Sequence, residues 1–310
     1  YNVAIGHQAG TAVTTGTYNT LIGGLCGDAL TTGQYNVAVG ANALTAEDSG
    51  GKNTAVGFES LKTLNAGGNG NDTAVGFEAG KAMTTGVANT LVGSQSGVAL
   101  TTGSWNTSVG YNSLVNEDAN GYNTAVGAGT LQTQDAGADA YNTAIGYNAG
   151  NDITTGLYNT LIGGLAADAL TTGNSNIAIG LNALGGEDTG HDSVAIGRNA
   201  LLVQNYDGSA YNVAVGRQAG TSVSTGIKNT IIGGLSGDAL TTGSNNIIIG
   251  YDAAASAVDV SNEITLGDAN ISAFRCNDQS IAALSDGRDK TDVVDLPVGL
   301  DFLDKVRPVK

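Results

Sequence analysis

One short alternation of polar and apolar positions recurs along almost the whole chain. The pattern is Asn-x-(Ala/Leu)-(Ile/Val)-Gly, with copies starting at Asn2, Asn19, Asn36, Asn53, Asp72, Asn89, Asn106, Asn123, Asn142, Asn159, Asn176, Ser193, Asn212, Asn229 and Asn246, and a degenerate sixteenth at Asn262. Most spacings are 17 residues, and every fourth spacing through Asn212 is 19, so positions 2, 72, 142 and 212 are related by a period of 70. Constant spacing of this kind marks a solenoid, in which each repeat is one supersecondary unit that buries its apolar side only against its neighbours. Four coils make a supermodule, which divides the repeat region 1–268 into 1–70, 71–140, 141–210 and 211–268.

Each copy carries one short strand-like core, such as Val3, Ala4 and Ile5, closed by a glycine. The residue before that glycine is Ile or Val in every copy except Leu266. β-Branched residues suit a pleated surface, and the spacing predicts that this row faces inward. Glycine follows in all sixteen copies, from Gly6 to Gly267, as a corner needing positive φ or close backbone approach requires. Seven residues after each polar start the side chain is small, as at Ala9, Cys26, Ala43, Ser60 and Ala79, which predicts a second, shorter strand packed against a neighbour. The coil closes through Thr-Thr-Gly, as at Thr14–Gly16, or through acidic turns such as Glu47-Asp48-Ser49-Gly50. No window supplies the three-to-four spacing of an amphipathic helix.

The expected fold is therefore all-β: a parallel β-roll or β-helix of about 16 coils. Stacked in register about 4.8 Å apart, the coils place the Asn positions in a hydrogen-bonding ladder and give a rod roughly 75 Å long. A 17-residue coil encloses little volume, so apolar rows left facing water should be covered by association. The row carrying Leu21, Leu91, Leu161 and Ile231 among alanines is read as part of a surface shared between subunits.

Composition narrows the picture further. Of 310 residues, 48 are Gly and only two Pro, and the apolar content rests on Ala, Val, Ile and Leu, so the core must be narrow. A formal charge of −16 would repel phosphate backbones and anionic membranes, so neither nucleic acid nor membrane insertion is expected. No apolar run approaches the ~20 residues that span a bilayer. Tyr1 in place of an initiating Met is what a piece of a longer chain would show. Cys26 and Cys276 set up neither a metal cluster nor a disulfide framework.

The repeat, seen as Asn2 to Gly6 and Ser193 to Gly197, resembles the head repeats of trimeric autotransporter adhesins. That resemblance implies a left-handed parallel β-roll assembled as a homotrimer, against the usual right-handedness of parallel crossovers. From Leu284 the sequence runs Leu-Ser-Asp-Gly-Arg-Asp-Lys, then Leu296-Pro297-Val298-Gly299-Leu300-Asp301-Phe302 and Val306-Arg307-Pro308-Val309-Lys310. This resembles the junction between a bacteriophage tail fibre and an endosialidase-type intramolecular chaperone, which trimerises the fibre and then cuts itself off. On that resemblance 269–284 is a transition segment and 285–310 the start of the chaperone. Ser285 and Lys290 then form the self-cleavage dyad, with Asp286 orienting them. A Ser hydroxyl is a weak nucleophile, and a Lys amine kept neutral by burial can take its proton.

The function this implies is a structural shaft in a virion tail fibre, extracellular, attached to other tail proteins and presenting surfaces to a host receptor expected to be a glycan. It has no enzymatic activity beyond self-cleavage and no cofactor. A bacterial trimeric adhesin head is the first alternative, and a polysaccharide-degrading spike, which needs paired carboxylates in a groove, is the second. Cys26 and Met83 read as core, and Trp105 with Tyr1, Tyr18, Tyr35, Tyr122, Tyr141, Tyr158 and Tyr211 as a stacking corner, with a sugar platform as the functional alternative. Glu47-Asp48, Glu117-Asp118 and Glu187-Asp188 read as solvated acidic loops, with weak Ca²⁺ sites as the alternative. His7 and His191 are isolated and carry no assignment.

Overall fold

In the computed structural model the chain divides into two units, Tyr1–Asn270 and Ile271–Lys310. Residues 1–275 are described, so Ser285, Asp286, Lys290, Cys276 and the proposed chaperone start lie outside the described residues.

The first unit is the expected solenoid. Sixteen three-residue strands, from β1 (Val3–Ile5) to β16 (Ile264–Leu266), form one parallel sheet in strict chain order. Among the described residues there is no helix, and no helix is long and apolar enough to cross a membrane. The sixteenth coil begins at Glu263 rather than Asn262: Ile247 pairs with Ile264, and Glu263 N donates to Asn246 Oδ1 at 2.9 Å. Asn262 instead takes the left-handed conformation (φ 63°) of the residue that precedes each ladder position.

The ladder sets which way every strand faces. Asn19 Nδ2 donates to Gly33 O at 2.9 Å within its own coil, and its Oδ1 accepts the backbone N–H of Asn36, one coil on, at 2.9 Å. Asn36 repeats both bonds, to Gly50 O at 3.0 Å and from Asn53 N at 3.0 Å. These amides are buried. In a strand successive side chains alternate, so an inward Asn makes the next residue outward, the second inward and the third outward. The strand centre is thus the core row: Leu21, Ala38, Ala55, Ala74 and Leu91 are fully buried. The Ile/Val row before the glycine points out, as Ile5, Ile145, Ile232 and Ile249 show by their exposure. Both sequence-based assignments are therefore reversed: the row of Leu21, Leu91, Leu161 and Ile231 is interior, and the β-branched row is surface.

Among the described residues the expected second strand is also absent. The segment after the corner runs through turns that pass repeatedly into the left-handed region, as at Leu25 (φ 57°), Asn42 (φ 56°) and Leu44 (φ 53°). The small row nonetheless has the predicted role, since Ala9's successors Cys26, Ala43, Ser60 and Ala79 are fully buried against the sheet.

The large core side chains come from one of two positions in a coil. Coils with Leu at the strand centre carry a small residue in the facing turn, Gly27, Gly97 or Ala167; a Cβ at Gly27 would come within 2.9 Å of Leu21 Cδ2, and one at Gly10, in the coil before, within 2.6 Å of Leu21 Cδ1. In the third and fourth coils of the first two supermodules the centre is Ala or, once, Ser108, and the turn supplies Leu44, Leu61, Leu114 and Leu131 instead. Those leucines hold positive φ, which costs about 1–2 kcal/mol each. Burying a Leu side chain offsets that with about 1.5–3 kcal/mol.

Candidate functional site

The outward face of the sheet is the largest feature built by the repeat. Each strand presents its first and third side chains there. The third row is Ile or Val from Ile5 to Ile249, with Leu266 last; the first alternates Thr, Val and Ile. Exposed members include Val37, Ile145, Ile177, Ile232, Ile247 and Ile249. An unbroken aliphatic row sixteen strands long is a contiguous apolar surface of the kind that marks an interaction face.

Aromatic ladders border this face. The residue before each ladder Asn has φ near +60°, which throws its side chain outward at the same height in every coil. Tyr1, Tyr18 and Tyr35 stack with ring centroids 5.4 and 5.2 Å apart. Tyr122, Tyr141 and Tyr158 stack at 4.9 and 5.9 Å. Trp105 occupies the same corner and is 59% exposed. The two tyrosine triplets stack as expected, whereas among the described residues no ring stacks on Trp105 or Tyr211; within the triplets the ring faces meet each other, so little ring face is left for a sugar.

The acidic pairs differ from the expectation. Glu47, Glu117 and Glu187 are fully buried, because each stands eleven residues after its ladder position, in the row that holds Leu30, Met83 and Leu100. Glu117 Oε1 accepts from Asn120 Nδ2 at 2.8 Å, and its Oε2 from Gln134 Nε2 at 2.9 Å. Glu187 Oε1 accepts from Gly190 N at 2.8 Å and its Oε2 from Gln204 Nε2 at 2.9 Å. The chain continues inward, since Gln134 Oε1 and Gln204 Oε1 accept from Asn142 Nδ2 and Asn212 Nδ2 at 2.9 and 2.8 Å. Glu117, Asp118 and Asp135 bring carboxylate oxygens within 4.8 Å of one another. A cation there would have to displace the donors already on Glu117, so the cluster receives no metal assignment.

The first copy of this network, at Glu47, is broken. Leu64 stands where the later copies have Gln134 and Gln204, and Asp72 where they have Asn142 and Asn212. Glu47 keeps its bonds from Gly50 N at 2.6 Å and Ala66 N at 3.2 Å, yet burial raises its pKa above the ordinary carboxylate value. Burial pushes Asp72 up to about 7, with the backbone and side-chain donors of Asn89 opposing and the Glu47 charge adding to it. Asp72 Oδ2 and the neighbouring Asn53 Nδ2 are buried with no hydrogen-bond partner. Counting offsets from the ladder Asn, the step that identifies Met83 as core, also finds these glutamates; turn composition alone misleads.

No protein-family model, curated protein or solved structure matches this chain. Its chemistry therefore rests on the residues themselves. Cys26 is inert: its Sγ donates to Ala38 O at 3.0 Å, and burial pushes the thiol pKa up to about 11. His191 Nδ1 accepts the backbone N–H of Asn174 at 2.8 Å and is part of the rung pairing.

Proposed function

We propose that this chain is the shaft of a homotrimeric fibre, carried on a virion tail and used in host attachment. The observation that supports the reading most is the aliphatic outward face, continuous over sixteen strands. Burying such a face stabilises by about 25 cal/mol per Å². Another copy of the same stack repeats it rung for rung along its whole length, as an unrelated globular partner would not. Three copies rather than two, the virion setting and the left-handed winding come from the resemblances of the repeat and of 284–310.

Charging the face tests assembly. The double variant Val126→Asp/Ile162→Asp is expected to sediment as a single chain while keeping the β circular-dichroism signal, since both side chains point away from the core. A variant that still sediments as the intact assembly would contradict the proposed interface.

The tail resemblance carries a second test. In full-length protein, Ser285→Ala is expected to abolish a break on the N-terminal side of position 285, read by intact-mass spectrometry. Identical masses for the parent and the variant would remove self-cleavage from the proposal.

A further inference from the structure

Two positions after the corner glycine face outward, and in the first fifteen coils both are reduced to Ala or Gly only at Ala128 and Gly129. The residue after the corner glycine is aromatic in two successive coils, the fourth and fifth, where Phe58 and Phe77 stack at 5.5 Å. Seventy residues on, those positions are Ala128 and Tyr147, and the preceding coil brings Tyr111 where the first supermodule has Ala41. The next residue in each coil occupies a left-handed turn position, filled by side chains such as Gln95, Asn112, Asn148 and Leu165. In the first fifteen coils Gly129 is the only glycine in that row. One coil has therefore lost both outward side chains between two tyrosines.

The result is a recess of about 230 Å³, walled by Tyr111 and Tyr147, floored by Ala128 and Gly129, and edged by Asn112 and Asn148. The tyrosines are 59% and 63% exposed, so the slot opens to solvent. Unlike the stacked corner tyrosines, these two have no ring between them. Asn112 Oδ1, on the rim, is buried with no hydrogen-bond partner. The floor has no room for a side chain at Gly129: a Cβ there would come within 2.2 Å of Asn148 Oδ1.

The spacing selects the ligand. Tyr111 and Tyr147 lie two rungs apart, about 9.6 Å at the ordinary strand separation. A planar aromatic group makes contact at about 3.5–4 Å on each face and would rattle in that gap. A saturated six-membered ring with axial hydrogens is thicker and meets both walls. The recess is smaller than the roughly 300 Å³ at which drug-sized pockets begin, which suits one ring. Amide groups at the rim match hydroxyls, and the net charge of −16 disfavours an acidic sugar.

We infer that the slot between Tyr111 and Tyr147 binds one neutral hexopyranose ring, held between the two tyrosine faces with its hydroxyls on Asn112 and Asn148. The host-attachment reading bears on this only as the source of the sugar, a surface polysaccharide.

The test titrates the methyl glycosides of glucose, galactose and mannose into the full-length protein, reading saturation-transfer NMR and tyrosine fluorescence. At least one is expected to bind saturably in the millimolar range, as one ring should. Ala128→Phe, which restores the Phe58 pattern and fills the slot, should weaken that binding by about tenfold or more. Tyr111→Ala should weaken it too. Binding unchanged in Ala128→Phe, or no binding by any of the three glycosides, overturns the inference, as does preferential binding of a planar aromatic such as indole. Sedimentation of the same samples separates the two readings. An intact assembly without sugar binding sinks the slot alone; sugar binding by a single chain sinks the shaft and leaves the slot.

Discussion

Replacing the corner Gly146 by Ala is expected to destabilise the solenoid by about 3–5 kcal/mol. Gly164→Ala, one coil on, should change stability by less than ~0.5 kcal/mol. Gly146 sits at φ +136°, where an L-residue is strained, and a Cβ would lie 2.4 Å from Gly163 O and 2.6 Å from its carbonyl carbon. Both obstacles are backbone, so nothing can swing aside. The carbonyl cannot retreat either, because the coils are tied by bonds such as Gly146 N to Val126 O and Gly163 N to Ile145 O, at 2.8 and 2.7 Å. At Gly164 a Cβ would meet only Leu181 Cδ1 at 3.5 Å, an ordinary contact. Chemical denaturation followed by circular dichroism measures both variants. Equal midpoints would show that corner glycines are tolerated rather than required.

Asp72→Asn is expected to stabilise the protein by on the order of 2–4 kcal/mol at pH 8, and by little below pH 4. Asp72 stands in the Asn ladder with its folded-state pKa raised from 3.8 to about 7. Between those values the folded chain holds a proton that the unfolded chain has released, so stability falls as pH rises through the window and levels off above it. Asparagine carries no charge to bury. It also supplies the missing donor, as Asn142 Nδ2 does to Gly156 O at 2.7 Å. Denaturation midpoints of parent and variant across pH 4–8 should therefore diverge with rising pH. Parallel pH profiles would mean that Asp72 is not buried as a titrating member of the ladder.

The contrast between Asp72 and Glu117 shows what the sequence reveals and what it hides. Sixteen coils, the corner glycines, the small buried row and the core role of Met83 follow from spacing alone, because identical offsets must stack on identical offsets. The direction each row faces needed one further step. A buried ladder Asn decides the parity of the strand, and Ile5 or Val56 then points outward however well a β-branched side chain would suit a core. The sixteenth copy slipped by one residue because Asn262 matches the motif letter, while Glu263 matches the 17-residue register that the backbone obeys. Glu47, Glu117 and Glu187 were legible by offset but hidden by composition, since acidic residues beside Ser and Gly look like an exposed turn. The slot at Ala128 and Gly129 is visible in sequence only as two missing side chains. Its meaning depends on Tyr111 and Tyr147 standing two rungs apart on the same side.

The proposed fibre role depends on the outward Ile and Val rows being covered by further copies of the chain. Sedimentation equilibrium of the full-length protein at neutral pH measures this directly, with the denatured chain mass taken from the same sample by mass spectrometry. A particle of three times the chain mass, unchanged on tenfold dilution, is the expected result. A stably folded single chain, with its β signal intact and its aliphatic face in water, would contradict it.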